Sequence, residues 1–281
     1  MSLPKEDGAG PGSPSSATPL RSVRRILQFG SVFTSLVVVA LVFLGGLDWV
    51  HAAALAVLLS LLPTAAIAQV PLARGIDLPR MEAYASSAGT LMVLGVVSAV
   101  LAGWRGAPGL AFVPLPWASL IGWTVALAGV GLVVTLGFKW ASIRLGLSED
   151  PILRALIPRS PGEKWGFAGL SVFAGFGEEV AYRGYVLAML VPLLGTAGAV
   201  LVSSGAFGAL HAYQGPLGVM RTAVMGAVMA GGYLATGSLW PVILAHLLFD
   251  VLAGIFLADM LMVPDGAAGV SQAEEKDSAE A

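Results

Sequence analysis

The sequence predicts an all-α, polytopic membrane protein of about eight transmembrane helices, with its membrane-depth polar residues collected in a rear four-helix core. Three observations predict it. Of 281 residues, 57% are hydrophobic and 11% charged, with a mean hydropathy of +0.84, which is more apolar side chain than one soluble core can hide. Apolar stretches long enough, or nearly so, to cross a hydrocarbon core of ~30 Å recur between two polar ends. Six of the few ionisable residues within those stretches fall into Glu178-Glu179-x-x-x-Arg183, Phe207-x-x-x-His211 and His246-x-x-x-Asp250. A charge at such depth costs roughly 2.5 to 3.5 kcal/mol on insertion scales, so it normally marks function with a partner at hand.

Taken in order, residues 1–22 are rich in Gly, Pro and Ser and are expected to form a disordered N-terminal tail. Residues 23–139 hold the front helices, expected near 26–47, 51–71, 86–103 and 116–138. The first follows Arg21, Arg24 and Arg25 as a signal peptide would, but its apolar run exceeds the usual ~7–15 residues, so it reads as an uncleaved helix. His51, beside Asp48 and Trp49 at a helix boundary, reads as an interfacial residue, and Trp49 fits an aromatic belt. Residues 140–164 form a charged, proline-bearing loop that separates a front half without polar motifs from a rear half that holds all three.

The rear segment 165–258 is expected to fold as helices near 165–183, 196–213, 217–235 and 239–258. Residues 184–195, short and broken by Pro192, read as a re-entrant or interfacial turn. Gly226, Ala230 and Gly231 are small enough to let helices approach closely. Residues 265–281, with Glu274, Glu275, Asp277 and Glu280, read as an acidic C-terminal tail. Lysines and arginines gather in alternate loops, which puts the N terminus on the cytoplasmic side of a cell membrane. By that topology the helix over 165–183 runs outward and carries Glu178 towards the exterior.

The net charge of −2 and pI near 5.9 lack the basic face that nucleic acid requires. With no cysteine, disulfides, thiolate zinc sites and cysteine nucleophiles are excluded, leaving water, serine, threonine or a carboxylate to attack. Residues four apart share a helix face, so Glu179 and Arg183 are expected to pair across one turn. Glu178, rotated about 100° from Glu179, is left for a separate role. His246 and Asp250 point into one volume, either bonded to each other or facing a common ligand. Phe207, one turn before His211, reads as packing that walls the cavity against water.

Two imidazoles and their neighbouring carboxylates can hold and deprotonate a water beside an amide, with Glu178 as general base and His211 orienting the water. His246 and Asp250 would then stabilise the oxyanion, for which Asp250 must carry a proton, because an ionised carboxylate only accepts hydrogen bonds. The alternative is a divalent metal such as zinc, with Glu178, His211, His246 and Asp250 as candidate ligands and an open position that lowers a bound water's pKa to about 7. Either route hydrolyses. There is no HExxH. A serine protease built on Ser203-Ser204-Gly205 leaves both the Glu-Glu-Arg and His-Asp sets unexplained. The rival classes are a non-catalytic membrane immunity or assembly scaffold and a proton-coupled transporter; the latter predicts matched interrupted helices in two related halves, which the sequence lacks.

The three motifs, together with Arg183-Gly184 and the run from Thr236 through Gly237-Ser238-Leu239-Trp240-Pro241 to His246, resemble the type II CAAX prenyl endopeptidase family, or CPBP family of intramembrane proteases, which includes Abi-type immunity proteins. The resemblance covers about residues 165–257. It implies a membrane-embedded or lipidated peptide or protein as substrate, in the lipid bilayer. It further implies that Glu178 activates water with His211, that Glu179 and Arg183 support the site, and that His246 with Asp250 binds the oxyanion. An older view of the family makes the glutamate and histidines zinc ligands. The family's third motif ends in Asn or Asp, and this chain has Asp250.

Overall fold

The computed structural model describes residues 17–73, 79–147 and 150–262, and no strand occurs among them. The helices are α1 (Ala17–Phe43), α2 (Trp49–Ala73), α3 (Arg80–Ala102), α4 (Trp117–Arg144), the short α5 (Pro151–Ala155), a 50-residue stretch Pro161–Leu210, α8 (Gly215–Thr236), α9 (Leu239–Phe256) and a final turn, α10 (Ala258–Leu261). Among the described residues seven helices are long and apolar enough to cross a membrane. The Pro161–Leu210 stretch is broken at Gly195, whose φ of 68° and ψ of 170° are non-helical, so it makes two limbs: α6 (residues 161–194) and α7 (residues 196–210). With the two limbs counted separately, the described residues hold eight helices besides the short α5 and α10.

The turn falls at Gly195 rather than over 184–195. Pro192 removes one N–H and kinks the helix without reversing it, whereas a positive φ is open to glycine at no steric cost. Residues 180–187 are helical throughout, as a π segment, and the expected re-entrant turn is therefore replaced by helix. The two limbs lie side by side, with Ser203 Oγ of α7 donating to the Tyr182 carbonyl of α6 at 3.4 Å. Because α6 runs on past Arg183 to residue 194, Glu178 sits near the middle of a limb, not towards an exterior end as its expected helix implied.

Other boundaries move for local reasons. α1 begins at Ala17, inside the segment expected as tail; residues 1–16 and the acidic 265–281 lie outside the described residues. The loop expected over 140–164 is helical up to Arg144 and again from Pro161. Ser160 and Glu163 form a capping box with Pro161 in the first turn, which fixes that start. Asp150 caps α5 by accepting the Ile152 N–H at 3.0 Å.

The rear core is not a separate body. α3 packs along α6 and α4 along α9. Glycines permit the approach: a Cβ built on Gly95 of α3 would stand 2.9 Å from the Gly177 Cα of α6, and one on Gly175 would stand 2.9 Å from the Ile243 carbonyl of α9. A Cβ on Gly177 would overlap the Leu91 carbonyl of α3. Gly177→Val is therefore expected to lower stability by about 1–3 kcal/mol, since backbone cannot yield as a side chain does; unfolding in mixed detergent micelles measures it. α1 turns Phe29, Phe33 and Phe43 outward, as a lipid-facing helix does.

Candidate functional site

Helices α6, α7, α8 and α9 bring the three motifs into one buried cluster. α6 supplies Glu178, 8% exposed, Glu179, 0%, and Arg183, 1%. The i,i+4 spacing pairs the last two as expected, with Arg183 Nη1 donating to Glu179 Oε1 at 3.0 Å. Arg183 Nη2 donates to the Gly226 carbonyl of α8 at 2.9 Å, and its guanidinium lies 4.6 Å from the centre of the Phe207 ring of α7. One arginine thus ties α6 to both neighbours. Gly226 fits this contact because a Cβ there would already stand 3.2 Å from the Ser204 Cα.

His246 is held between the two adjacent glutamates. Its Nδ1 lies 2.7 Å from Glu179 Oε1, the oxygen that also accepts from Arg183. Its Nε2 faces two further carboxyls, 3.7 Å from Glu178 Oε2 and 3.7 Å from Asp250 Oδ2. Those distances are beyond a direct hydrogen bond. His246 and Asp250 consequently face a shared volume instead of bonding each other. Glu178 Oε2 is buried and has no hydrogen-bond partner in the protein.

A π segment, Val180–Leu187, begins directly after Glu179, and every one of its residues is buried. Such widened turns recur at functional sites.

His211 caps the end of α7. Its Nδ1 lies 2.9 Å from the Phe207 carbonyl, and because a carbonyl only accepts, Nδ1 carries the proton and Nε2 keeps its lone pair. Phe207 packs, as its position suggested, but at the centre of the site: its ring lies 5.0 Å from His211, 6.4 Å from His246 and 5.2 Å from Tyr182. Neither Ser203, bonded to a backbone carbonyl, nor Ser204, whose buried Oγ has no partner, is bonded to a histidine.

Among the described residues no group of three or more His, Asp and Glu side chains is arranged to hold a metal ion. Of the candidate set, Glu178, His246 and Asp250 face one volume through His246 Nε2, and the Nδ1 atoms of His211 and His246 are taken up by the Phe207 carbonyl and Glu179, which leaves the Nε2 of each histidine towards the site.

Sequence reasoning missed three residues. Tyr213, on the turn after α7, packs with its ring centre 5.9 Å from that of His211 and tilted 38° to it. Tyr182 and Tyr185 flank Arg183 and are fully buried. His51, read as interfacial, is 1% exposed and bonded on both ring nitrogens, to Tyr185 Oη and to the Arg105 carbonyl, each at 2.9 Å. The neighbouring Trp49 is indeed exposed. A lone histidine beside Asp and Trp has the same signature whether it lies at the interface or just beneath it.

Residues 160–252, about a third of the chain, match a family model described as Rce1-like, Type II CAAX prenyl endopeptidase Rce1-like. No curated protein and no solved structure matched the chain.

Proposed function

Proceeding from that match, we propose that the protein is an intramembrane endopeptidase that hydrolyses a peptide bond in a membrane-associated or prenylated peptide or protein, using a water activated by Glu178. The observation that carries this reading is Glu178 Oε2, a buried carboxylate oxygen without a protein partner beside His246 Nε2. Glu179 Oε2 is likewise unpartnered, but Glu179 Oε1 pairs with Arg183 and His246 as a structural carboxylate at membrane depth does, whereas Glu178 has only His246 Nε2 at 3.7 Å. Glu178 takes a proton from water as the water oxygen attacks the amide carbon, and the His211 Nε2 lone pair helps to orient that water. The developing oxyanion falls to His246, whose Nδ1–H donates to Glu179 and which therefore needs a second proton on Nε2 to donate, and to Asp250 in its protonated form. The carbon–nitrogen bond then breaks, with the proton passed to the departing amine. Glu179 and Arg183 hold the His246 ring in place. Phe207 walls the site against bulk water. By this reading the chain is a multi-pass protein of the cell membrane with its N terminus in the cytoplasm.

The test is cleavage of a fluorogenic prenylated CAAX peptide library by the purified protein in detergent. Wild type is expected to cleave. His211→Ala is expected to lose about 10²-fold or more in kcat. A chelator is expected to leave the rate unchanged, since no step runs through a metal. A wild-type protein that cleaves nothing in the library would favour the immunity or assembly scaffold, and loss of activity in chelator, restored by zinc, would replace the metal-free route.

A further inference from the structure

Two buried tyrosines on either side of Arg183 carry their hydroxyls out of the rear segment. Tyr182 Oη donates to the Leu58 carbonyl of α2 at 2.9 Å. Tyr185 Oη lies 2.9 Å from His51 Nδ1, at the start of α2. His51 Nε2 lies 2.9 Å from the Arg105 carbonyl, which can only accept, so Nε2 carries the proton and Nδ1 accepts from Tyr185. The loop over residues 103–116 then continues to α9. The Leu239 N–H donates to the Ala111 carbonyl at 2.8 Å, and Ser238 Oγ, which caps α9, donates to the Val113 carbonyl at 2.6 Å. Phe112 of that loop packs on Phe176 of α6 and Trp240 of α9.

We propose that α2 and the 103–116 loop, both outside the matched residues 160–252, are the brace that sets the spacing of α6 and α9, and that His51 and Tyr185 are positioning residues for the site. The proposal rests on the protease reading for its effect on rate. The geometry gives the reason. His246 and Asp250 come from α9 and both glutamates from α6, so the 2.7 Å contact between His246 and Glu179 exists only at one separation of the two helices. Apolar packing between membrane helices tolerates sliding. Directional bonds from fully buried groups do not, because a slip would leave the His51 nitrogens and the Tyr185 hydroxyl unsatisfied.

In the library assay, His51→Leu and Tyr185→Phe are each expected to lower kcat about 10- to 100-fold with KM unchanged, the scale of effect for misplaced catalytic groups. Combining them should add little to His51→Leu, which already removes the bond to Tyr185 together with the one to the Arg105 carbonyl. His51→Asn, whose amide oxygen takes the place of Nδ1 but which leaves the Arg105 carbonyl without its donor, should restore part of the rate. Hydrogen exchange of residues 180–187 should quicken in His51→Leu and return towards wild type in His51→Asn, with α8 unaffected. Wild-type kcat in both Tyr185→Phe and His51→Leu would overturn the positioning role, and unaltered exchange at 180–187 would overturn the brace. If the wild-type protein cleaves no peptide, the protease reading falls, and exchange at 180–187 alone decides the brace.

Discussion

Glu178→Gln is expected to lower kcat about 10²- to 10⁴-fold while the unfolding temperature stays at the wild-type value, the range for loss of a general base. The second half of that expectation separates a chemical from a structural carboxylate. Glu178 Oε2 has no hydrogen-bond partner in the protein and stands 3.7 Å from His246, so a neutral amide of the same shape strands no buried charge. Turnover of the prenylated peptide, read beside thermal unfolding of the same preparation, makes the comparison. Wild-type turnover in Glu178→Gln would remove the proposed base. A large fall in both quantities would make Glu178 a packing residue.

Arg183→Met is expected to do the reverse, lowering stability by about 3–5 kcal/mol, because removing one partner of a buried pair leaves the other charge uncompensated. Glu179 would keep only His246, and the Gly226 carbonyl and the face of Phe207 would each lose a donor. Activity falls as a consequence, through displacement of His246. Glu179→Gln should restore part of the lost stability when added to Arg183→Met, and a double-mutant cycle in detergent unfolding reads the coupling. Strict additivity of the two changes would show that the 3.0 Å pair contributes nothing to the fold.

What the sequence made legible follows from periodicity. Glu179 with Arg183 and His246 with Asp250 are four residues apart on helices, and that spacing alone puts each pair on one face. Cross-helix choices were not legible. Nothing in the spacing says that Glu179, and not Asp250, takes the Nδ1 of His246, because that depends on the approach of α6 to α9 through Gly175. The π segments over Val57–Leu61, Val180–Leu187 and Leu252–Phe256 leave no sequence signal, since they are set by packing and not by propensity. The break at Gly195 was misplaced towards Pro192 because proline is the stronger breaker in general, yet only a residue at ease with positive φ could make this turn. Tyr182 and Tyr185 carry no pattern at all until their hydroxyl partners on α2 are known.

Gly195 also bears on how the protein is made. A continuous Pro161–Leu210 helix would be about 75 Å long at 1.5 Å per residue, more than twice a ~30 Å bilayer core, and it holds at least one strongly apolar 18-residue window. For both limbs to cross the bilayer, a translocation machinery that reads hydropathy would have to resolve this one candidate span as two crossings. The direction in which α8 and α9 later enter the bilayer depends on that decision. If the chain passes once instead of twice, every downstream helix inserts upside down and His246 arrives with its polarity reversed against Glu179. With both limbs crossing, a single residue without a side chain would set the parity of the rear half during biogenesis, before any contact in the site has formed.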